Sequence, residues 1–426
     1  MKYSIVTFGC RVNQADSFQI EEQLIASGGM AAATDAADLV VVNTCSVTGS
    51  ADQATRQIVR KIARENPTAR IVVTGCYATR RPDEVTALAD RIQIVPNDRK
   101  DRLVGEIGLA LPASNASLTT AERFGDGEGA CGGEIAPGLA GRTAFTLRVQ
   151  TGCDETCSYC IIPSTRGRGR SRPVADVLSE IDRIAGAGYR EIAITGVHLG
   201  SYGRDLRDGS TLLGLLQQIE RRASGVRFRI SSLEPMDCSD ALVDLVAASE
   251  SLAPHFHLPL QHACDRLLVA MRRPYTLAYY QRLVDRLRDV MPHASIGTDI
   301  IVGFPGEADA DFEVLATYLA SSPVTHVHVF PYSDRPGTVA ASLPGKIHGS
   351  IVRERAATIR NIGRELSRRF HRDQAGSVRP GLTIEDGTLV VTDNYLKVRI
   401  PAGLARNEWV SVALSVVGDQ LVGNLQ

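Results

Sequence analysis

The chain has 426 residues, a formal net charge of −1, nine cysteines and 44% hydrophobic residues. This length predicts about two to four domains, at roughly 150 residues each. The balanced charge excludes a global electrostatic attraction to nucleic acid, so any RNA affinity has to come from local basic patches. No apolar stretch approaches the ~18 residues of a membrane span. An odd number of unevenly spaced cysteines is typical of the reducing cytoplasm and argues against a secreted disulfide scaffold.

Strands and helices alternate through the first part of the chain. Apolar runs predict strands at Ser4–Phe8, Leu39–Val42 and Arg70–Val73. Between them, apolar residues at helical spacing predict helices at Asp16–Ala26 and Gln53–Glu65. This βαβαβ order indicates a parallel sheet with right-handed crossovers.

One cysteine follows each of these three strands, at Cys10, Cys45 and Cys76. Ligands gather beyond the carboxyl ends of parallel strands, so we expect the three thiols to lie at one edge of the sheet. The alternative is three ordinary buried cysteines, since free Cys is among the most buried residue types. The same position recurs in three consecutive strand–helix units, which favours a shared role at that edge.

A second strand–helix series follows a stretch rich in Gly, Ala, Ser and Thr at 109–143, which predicts a linker. The predicted strands are Phe145–Val149, Glu191–Ile194, Arg227–Ile230, His255–Leu260, Ser295–Ile301 and Val327–Phe330. Helices are predicted between them, for example at Val174–Ala187 and Leu277–Val290. Six parallel strands with outer helices indicate a full or partial β/α barrel over 144–345, with its chemistry on the loops after the strands.

The stretch TGCDETCSYC follows the first of these strands and places Cys153, Cys157 and Cys160 in a CxxxCxxC array. A structural zinc site closes with four ligands, and no fourth Cys or His stands nearby in the sequence. An iron–sulfur cube held by three thiolates, with its fourth iron free, fits the array better. Zinc is the alternative.

This array after the first barrel strand resembles that of the radical S-adenosylmethionine (SAM) enzymes. The resemblance implies that the three thiolates hold a catalytic 4Fe-4S cluster, whose free iron binds SAM and whose electron cleaves it to a 5′-deoxyadenosyl radical. The stretches ITGVHLGSYG, SSLEP and GTDIIVGFPGE follow or cover later strands and fit a SAM pocket. The candidate SAM contacts are Gly196, Ser232, Glu234, Asp299 and Gly303.

The layout of the whole chain resembles that of the methylthiotransferases, with an N-terminal domain (1–108), a radical SAM core and a C-terminal β-barrel (373–426). The resemblance implies that Cys10, Cys45 and Cys76 hold a second 4Fe-4S cluster with one open iron. This family inserts sulfur and then a methyl group at an unreactive carbon. We therefore expect two 4Fe-4S clusters, SAM, a sulfur donor and a flavodoxin- or ferredoxin-like electron donor, in a cytoplasmic monomer.

Short motifs resemble one branch of this family. FGCRVNQADS is similar to the GCKVNQ-type motif of the enzymes that act on N(6)-threonylcarbamoyladenosine in tRNA. The isopentenyladenosine branch prefers a GCQMN-type motif, and the ribosomal-protein branch a GCPKN-type one. NTCSVT, TGCYA, HVFPYSDRPGTVAA and TDNYLKV also resemble the first branch. The implied reaction is methylthiolation at carbon 2 of the adenosine beside the anticodon. The alternatives are the other two branches and a non-catalytic RNA-binding module with structural zinc.

One stretch departs from the family pattern. PLQHAC stands where members commonly have PLQSGS, so His262 and Cys264 are unusual in a loop near the expected SAM face. A His or Cys at such a place is more often a packing variant than a ligand. Cys238 is predicted to be structural, and Cys131 has no assigned role.

The first predicted RNA-binding patch is STRGRGRSRP, directly after the cysteine array. It spaces four arginines by two residues, which puts them on one side of an extended segment. Arginine suits phosphate because it forms bidentate hydrogen bonds. The predicted contacts are Arg166, Arg168, Arg170 and Arg172. Salt bridges within the barrel are the alternative.

The second predicted patch is a basic connecting helix (346–372, with its helical pattern at Ile351–Arg372). Residues 351–379 carry eight arginines against three acidic residues. Strands at Tyr395–Ile400 and Trp409–Leu414 then predict a small antiparallel β-barrel, similar to a TRAM domain. Such barrels bind nucleic acid with a charged groove and an aromatic platform. The predicted contacts are Arg364, Arg368, Arg369 and Tyr395, with Trp409 as a further aromatic candidate. A solvated helix face is the alternative.

Overall fold

The computed structural model describes residues 1–109, 137, 142–222, 225–418 and 420–426. Most of the predicted linker, including Cys131, lies outside the described residues. In chain order, the described residues form an N-terminal sheet, an open β/α barrel, a long helix and a small closed β-barrel. In this described part of the chain, no helix combines the length and apolarity that crossing a bilayer requires.

The N-terminal sheet has five strands in the order β2-β1-β3-β4-β5, and every pairing is parallel. Its elements are β1 Lys2–Thr7, α1 Arg11–Ala26, β2 Met30–Ala31, β3 Leu39–Thr44, α2 Gly49–Glu65, β4 Arg70–Gly75, α3 Cys76–Arg80, α4 Pro82–Thr86, β5 Ile92–Val95 and α5 Leu103–Glu106. The central strand β3 is buried along its whole length, because apolar side chains cover both faces of the sheet. The predicted parallel sheet is confirmed.

Six parallel strands form the open barrel, in the order in which they occur in the chain. Its elements are β6 Phe145–Arg148, β7 Gln150–Thr151, α6 Ile162–Arg166, β8 Arg170–Ser171, α7 Val174–Gly186, β9 Glu191–Thr195, α8 Leu212–Arg222, β10 Arg227–Ile230, α9 Asp240–Ala248, β11 His255–His257, α10 Asp265–Ala270, α11 Leu277–Val290, β12 Ser295–Val302, α12 Asp309–Ser321 and β13 His326–Pro331. Strands β6, β9 and β10 form one sheet, and β11, β12 and β13 form another. Backbone hydrogen bonds of Phe228 and Leu233 join the two sheets. Among the described strands, β13 does not pair with β6, so the predicted partial barrel is confirmed.

The long helix leads into a closed five-stranded barrel. Its elements are α13 Gly349–Gln374, β14 Val378–Ile384, β15 Leu389–Thr392, β16 Lys397–Arg399, β17 Trp409–Val417 and β18 Gln420–Leu425. The strand order is β14-β15-β16-β18-β17. Four pairings are antiparallel, and β16 and β18 make one parallel pair, Arg399 with Val422. The predicted small β-barrel is confirmed. Phe370 of α13 packs into the core of this barrel, so the helix end belongs to it.

A buried ion network fixes the N-terminal domain to the open barrel. Asp16 of α1 pairs with Lys100 at 2.7 Å, with Arg148 of β6 at 2.6 Å and with Arg166 of α6 at 2.9 Å. Arg148 also pairs with Asp101 at 2.8 Å. Burial opposes ionisation of Asp16, but the three cations outweigh it and hold the pKa of this carboxyl well below its usual range. Removing one partner from such a network leaves buried charge without compensation.

A second contact joins the N-terminal domain to the other edge of the barrel. Asp52 of α2 pairs with Arg335, which follows β13, at 2.7 Å and with Arg80 at 2.7 Å. The backbone N–H of Gly49 donates to the Ser333 hydroxyl at 3.1 Å. The two contacts involve the first and the last barrel strands, β6 and β13. The N-terminal domain therefore bridges the opening between them.

Replacing Asp16 with Asn tests the ion network. We expect Asp16→Asn to lower the free energy of unfolding of the metal-free protein by about 3–5 kcal/mol, because three buried cations lose their shared carboxylate. Guanidinium denaturation measures the change. Glu65→Gln is the control, since it breaks an exposed pair with Lys61 and should cost less than about 1 kcal/mol. Equal effects of the two substitutions would contradict a structural role for the network.

Candidate active site

The three N-terminal cysteines lie at one edge of the parallel sheet. Strands β1, β3 and β4 are neighbours in the sheet, so their carboxyl ends meet. Cys10 caps α1, Cys45 directly follows β3, and Cys76 is the first residue of α3. Cys45 and Cys76 are buried, whereas Cys10 is exposed. The structure therefore brings together the three cysteines that the sequence places after strand ends.

Two glycines allow the backbone to approach closely around this edge. Gly9 has a φ of +91°, and a Cβ there would lie 2.7 Å from Cys45 Sγ. Gly75 has a φ of +95°, and a Cβ there would collide with the backbone of Thr44. Both backbone conformations favour glycine. The loops before Cys10 and Cys76 are thus shaped by residues without side chains.

The CxxxCxxC loop lies directly after β7. The Sγ atoms of Cys153 and Cys160 each accept a hydrogen bond at 3.4 Å from the backbone N–H two residues further on. Cys157 Sγ accepts one from the Arg273 guanidinium at 3.1 Å. Gly152 precedes the array with a φ of +72° and packs against the backbone of Arg168. All three sulfur atoms have a donor that favours the thiolate form.

The sulfur atoms of the two trios are not packed as the ligands of one metal ion would be. Thiolates around one zinc ion, at about 2.3 Å from it, lie roughly 4 Å from one another. Among the described residues, the one group whose ligand atoms all lie within 4.8 Å of one another is His257, Asp299 and His328. Neither cysteine trio meets that limit. The sulfur atoms of each trio are therefore not drawn together as the ligands of a single zinc ion would be.

Burial favours the protonated form of three of these thiols by raising their pKa values. It raises the pKa of Cys45 and of Cys160 to about 12. It raises the pKa of Cys153 to about 11. Since the thiolate is the metal ligand, assembly of a cluster at either trio has to displace protons.

A cavity of about 170 Å³ is bordered by the loops that carry both trios. Val47 and Thr48 line it from the loop after Cys45. Cys160 lines it from the CxxxCxxC loop, and Asp299 of β12 lines it from inside the barrel. A molecule in this cavity would therefore contact the surroundings of both cysteine sites.

Arg166 ties the two cysteine loops together. Its guanidinium donates to the Asn13 side chain and to Asp16. Asn13 in turn donates to the carbonyls of Phe8 at 2.7 Å and Thr44 at 2.9 Å. These carbonyls lie just before the first two N-terminal cysteines, and Arg166 lies shortly after the third cysteine of the barrel array. The hydrogen bonds thus link one site to the other.

The four arginines after the array do not share one face. Arg166 and Arg172 are buried. Arg168 has a side chain that is 91% exposed and pairs with Asp154 at 3.1 Å, and Arg170 is half-buried in β8. The predicted extended segment is instead a short helix, a turn and a short strand. The prediction of RNA contacts is wrong for Arg166 and Arg172, because burial withdraws them from RNA, and stays a prediction for the other two.

Two of the candidate SAM contacts lie close to the CxxxCxxC loop. Glu234 forms an ion pair with Arg273, the same residue that donates to Cys157 Sγ. Gly196 packs on Gln150, and a Cβ there would lie 2.9 Å from Gln150 Oε1. Arg273 therefore connects the Glu234 carboxylate to the CxxxCxxC loop, and Gln150 contacts Gly196. Neither Arg273 nor Gln150 was predicted from the sequence.

The other three SAM candidates differ in their surroundings. Ser232 is exposed after β10, and Asp299 lines the cavity. Gly303 has a φ of +78°, and a Cβ there would lie 2.5 Å from the Val352 side chain of α13. Its N–H donates to Glu307 at 2.6 Å. The side of Gly303 that lacks a side chain therefore packs on α13, and its role as a SAM contact stays a prediction.

A histidine beside the array was also not singled out from the sequence. His198 Nδ1 lies 3.9 Å from Cys153 Sγ, and His198 Nε2 lies 2.7 Å from Asp237 Oδ2. The backbone N–H of His198 donates to Gln150 Oε1 at 2.9 Å. Asp237 and Gln150 thus fix the ring against the cysteine loop. His198 is part of the quoted ITGVHLGSYG motif, where only the glycines suggested a ligand.

The unusual PLQHAC residues are packed internally. His262 is fully buried, and its Nδ1 accepts the backbone N–H of Cys264 at 3.0 Å. The Cys264 thiol donates to Asp311 at 3.0 Å. Burial lowers the pKa of His262 to about 4, so its ring is neutral at physiological pH. These contacts agree with a packing variant.

The arginines of residues 351–379 carry less free charge than the sequence indicates. Four are paired with carboxylates: Arg355 with Glu307 and Asp309, Arg368 and Arg372 with Glu365, and Arg379 with Asp393. Arg364 and Arg368 are exposed on α13. Arg369 donates to carbonyls of Ala320 and Ser322 at the end of α12. Arg364 and Arg368 stay predicted RNA contacts, whereas the Arg369 guanidinium joins α13 to the end of α12.

The aromatic residues predicted as an RNA platform face the open barrel. The Tyr395 hydroxyl accepts a hydrogen bond from Arg11 at 2.6 Å, and its ring lies 4.6 Å from that of His255. The Trp409 ring stacks on the Arg227 guanidinium at 4.6 Å. Both rings thus take part in domain contacts, and their role as an aromatic platform for RNA stays a prediction.

Comparisons with known proteins agree with this architecture. Residues 2–96 match the family described as Uncharacterized protein family UPF0004, and residues 147–319 match the Radical SAM superfamily. A solved structure of the radical S-adenosylmethionine methyltransferase TsrM from Kitasatospora setae, with cobalamin and a 4Fe-4S cluster bound, is similar with a TM-score of 0.52. It is 18% identical, and the match covers 72% of this chain and 66% of that chain. The fold and the cysteine loop define a protein of the radical SAM class.

Curated relatives extend the similarity to nearly the whole chain. The threonylcarbamoyladenosine tRNA methylthiotransferase MtaB of Aquifex aeolicus is 34% identical over 400 residues, which are 94% of this chain and 96% of that protein. A tRNA-2-methylthio-N(6)-dimethylallyladenosine synthase of Sphingopyxis alaskensis is 30% identical over 99% of this chain and 96% of that protein. The chain belongs to the radical SAM methylthiotransferase family.

Arg273 offers a test of the CxxxCxxC loop. We expect Arg273→Met to slow cleavage of SAM by about tenfold or more, because Cys157 loses a charged donor and Glu234 loses its partner. The yield of 5′-deoxyadenosine from anaerobically reconstituted protein measures the rate. Arg272→Met is the matched control, since the neighbouring side chain is exposed. Equal rates for the two variants would show that Arg273 does not support the cluster.

Proposed function

We propose that this chain converts N(6)-threonylcarbamoyladenosine beside the tRNA anticodon to its 2-methylthio derivative. The observation that carries the proposal is a pair of three-cysteine sites whose loops border one cavity. The full-length similarity to the Aquifex aeolicus enzyme supports this substrate. The FGCRVNQADS motif supports it too, since its branch differs from the others at that stretch.

The two cysteine trios would each hold one 4Fe-4S cluster. Cys153, Cys157 and Cys160 would hold the cluster that meets SAM. The N-terminal trio would hold the second cluster, since its three thiols follow the ends of neighbouring strands and meet at one edge of the sheet. When bound, the clusters and SAM supply the radical, the sulfur and the methyl group that an unreactive aromatic carbon requires. Three protein thiols for each cube leave one iron open to a reactant in the cavity.

The chain's own residues shape the space in which this chemistry occurs. Tyr159, Ile301 and Phe330 line the cavity with apolar surface, which excludes water from reactive species. Asp299 presents a carboxylate, and its hydrogen bonds from His257 and His328 hold its pKa below the usual range despite burial. This carboxylate, at the edge of the apolar surface, would orient a bound base.

The tRNA has to present its base to the inside of the barrel. Enzymes that act on a base they cannot reach in the stack turn the nucleotide into a pocket. The exposed Arg168, Arg364 and Arg368 would hold the surrounding phosphates. A flavodoxin- or ferredoxin-like electron donor and a sulfur donor complete the proposed partners of a cytoplasmic monomer.

The isopentenyladenosine reaction is a second candidate. The Sphingopyxis alaskensis relative covers as much of this chain as the first relative does, at an identity only slightly lower. The overall sequence identity to these two relatives therefore gives only a weak preference for one substrate over the other. Product analysis has to decide between them.

Mass spectrometry of the nucleosides tests the reaction. Protein with both clusters, SAM, a reductant and sulfide is expected to form the 2-methylthio product on tRNA that carries threonylcarbamoyladenosine. Cys45→Ala should still cleave SAM but yield no methylthio product, whereas Cys157→Ala should lose both activities. Methylthiolation of isopentenyladenosine tRNA alone would assign the second candidate. Product formation by Cys45→Ala would refute the role of the N-terminal site.

Iron analysis separates catalysis from a structural zinc protein. Anaerobically purified protein is expected to be brown and to contain roughly eight irons per chain, since two cubes hold four each. Cys10→Ala and Cys153→Ala should each reduce the iron content by about half. A colourless protein with stoichiometric zinc would contradict the proposed function.

A further inference from the structure

A polar wall leads from the cavity to the loop that carries Tyr395. Asp299, which lines the cavity, has its Oδ1 atom 3.4 Å from His328 Nδ1. The His328 and His326 rings lie 5.6 Å apart, and the His326 and His255 rings lie 6.2 Å apart. The His255 ring lies 4.6 Å from Tyr395. These side chains form one continuous row across β11, β12 and β13 and into the small barrel.

The backbone makes room for this row at Gly297. A Cβ at Gly297 of β12 would collide with the His326 ring and lie 2.9 Å from His257 Nδ1. His328 is the most accessible member, with 58% of its side chain exposed. The row is therefore open to a ligand at His328, whereas His255 is buried.

Two arginines without a carboxylate partner stand at the far end of the row. Arg11 donates to the Tyr395 hydroxyl, and its guanidinium lies 5.5 Å from the centre of that ring. Arg142 lies near both residues: burial and the charge of Arg11 lower its pKa, and Tyr395 opposes the change. Within the described parts of the chain, neither arginine forms an ion pair. These two cations have no carboxylate partner among the described residues, and together they offer a site for an anion.

Tyr395 is held firmly in this position. Its φ is +69°, a conformation that costs energy for a residue with a side chain. Arg229 supports the ring from the other side, with its guanidinium 4.6 Å from the ring centre. Arg229 is fully buried and paired with Glu191 at 2.8 Å, so it is committed to this support. The hydroxyl that orients Arg11 is therefore fixed by the fold.

We propose that Arg11 and Arg142, with Tyr395 orienting Arg11, bind an oxyanion of the tRNA substrate, namely the carboxylate of the threonylcarbamoyl group. This inference rests on the proposed function. Guanidinium groups match a carboxylate with paired hydrogen bonds. The isopentenyl group is apolar and would leave the two cations unpaired. The site would therefore select one nucleoside over the other.

The location suits the shape of the nucleoside. Carbon 2 and the N(6) substituent lie on different edges of the adenine ring. A base that turns carbon 2 toward the cysteine sites therefore points its substituent along another wall of the barrel. The row from Asp299 to Tyr395 offers hydrogen-bond partners for the carbamoyl and hydroxyl groups on the way to Arg11.

A backbone phosphate of the tRNA offers the same oxyanion chemistry. Phosphates occur in every RNA, whereas the carboxylate occurs only on the modified nucleoside. Comparing RNAs that differ only in this group separates the two sources. The salt concentration has to be fixed, because phosphate contacts depend steeply on it.

The test uses the full-length protein with both clusters and three anticodon stem-loops. These carry adenosine, threonylcarbamoyladenosine or its carboxamide at the target position. The wild-type protein is expected to bind the carboxylate at least tenfold more tightly than the carboxamide, a difference of about 1.4 kcal/mol. Arg11→Gln should bring this ratio close to one and raise KM more than it lowers kcat. Arg11→Lys, which keeps the charge, should retain most of the ratio.

The outcomes separate this inference from the proposed function. An unchanged ratio in Arg11→Gln, or an equal loss of affinity for all three RNAs, would overturn the carboxylate site, and the equal loss would assign the arginines to phosphate. Arg142→Gln is the second variant if iron analysis shows that Arg11→Gln lacks the N-terminal cluster, because Arg142 is not adjacent to a cysteine of either trio. It should also lower the ratio. A wild-type protein that leaves threonylcarbamoyladenosine unmodified would refute the proposed function itself.

Discussion

The ion pairs of Asp16 hold the two halves of the candidate active site in place. Asp16 lies one and a half turns after Cys10 in α1, and it binds Arg166, which follows the CxxxCxxC loop. The carboxylate is fully buried, and its partners come from both domains. Neither loop can shift without separating charges in a medium of low polarity, which is costly. The contact between Asp52 and Arg335 fixes the opposite edge of the barrel, so the cavity is enclosed from both sides.

This constraint has a chemical consequence. Hydrogen on an aromatic carbon is neither acidic nor easily displaced, so its replacement needs a radical and a sulfur atom at the same place. Each cysteine trio can hold a cube by three corners and leave the fourth for a reactant. Because both loops border one cavity, both open corners can serve one substrate atom. The fold thus contributes by position, while the cofactors supply the reactivity.

The sequence predicts the strands and the cysteine positions well, because buried parallel strands are continuous apolar runs and their ends meet at one edge. It fails where a residue's partner is distant in the chain. Helix α1 begins at Arg11 and not at Asp16, since its first turn carries buried polar residues that serve the domain junction. From the sequence, Arg166 is predicted to be a surface cation. Its partner Asp16 lies 150 positions away in the chain, and only the fold brings the two side chains together. The regular spacing of the arginines indicates a local positive charge, but it does not identify the carboxylates with which these arginines pair.

The most direct test of a shared cavity is the magnetic interaction between the two clusters. Electron paramagnetic resonance of the fully reduced protein should show signals that broaden or split each other, since both cubes would face the same small space. The interaction should be absent from Cys76→Ala and Cys160→Ala, which retain one cluster each. A wild-type spectrum equal to the sum of these two spectra would mean that the sites are far apart, and would contradict the account.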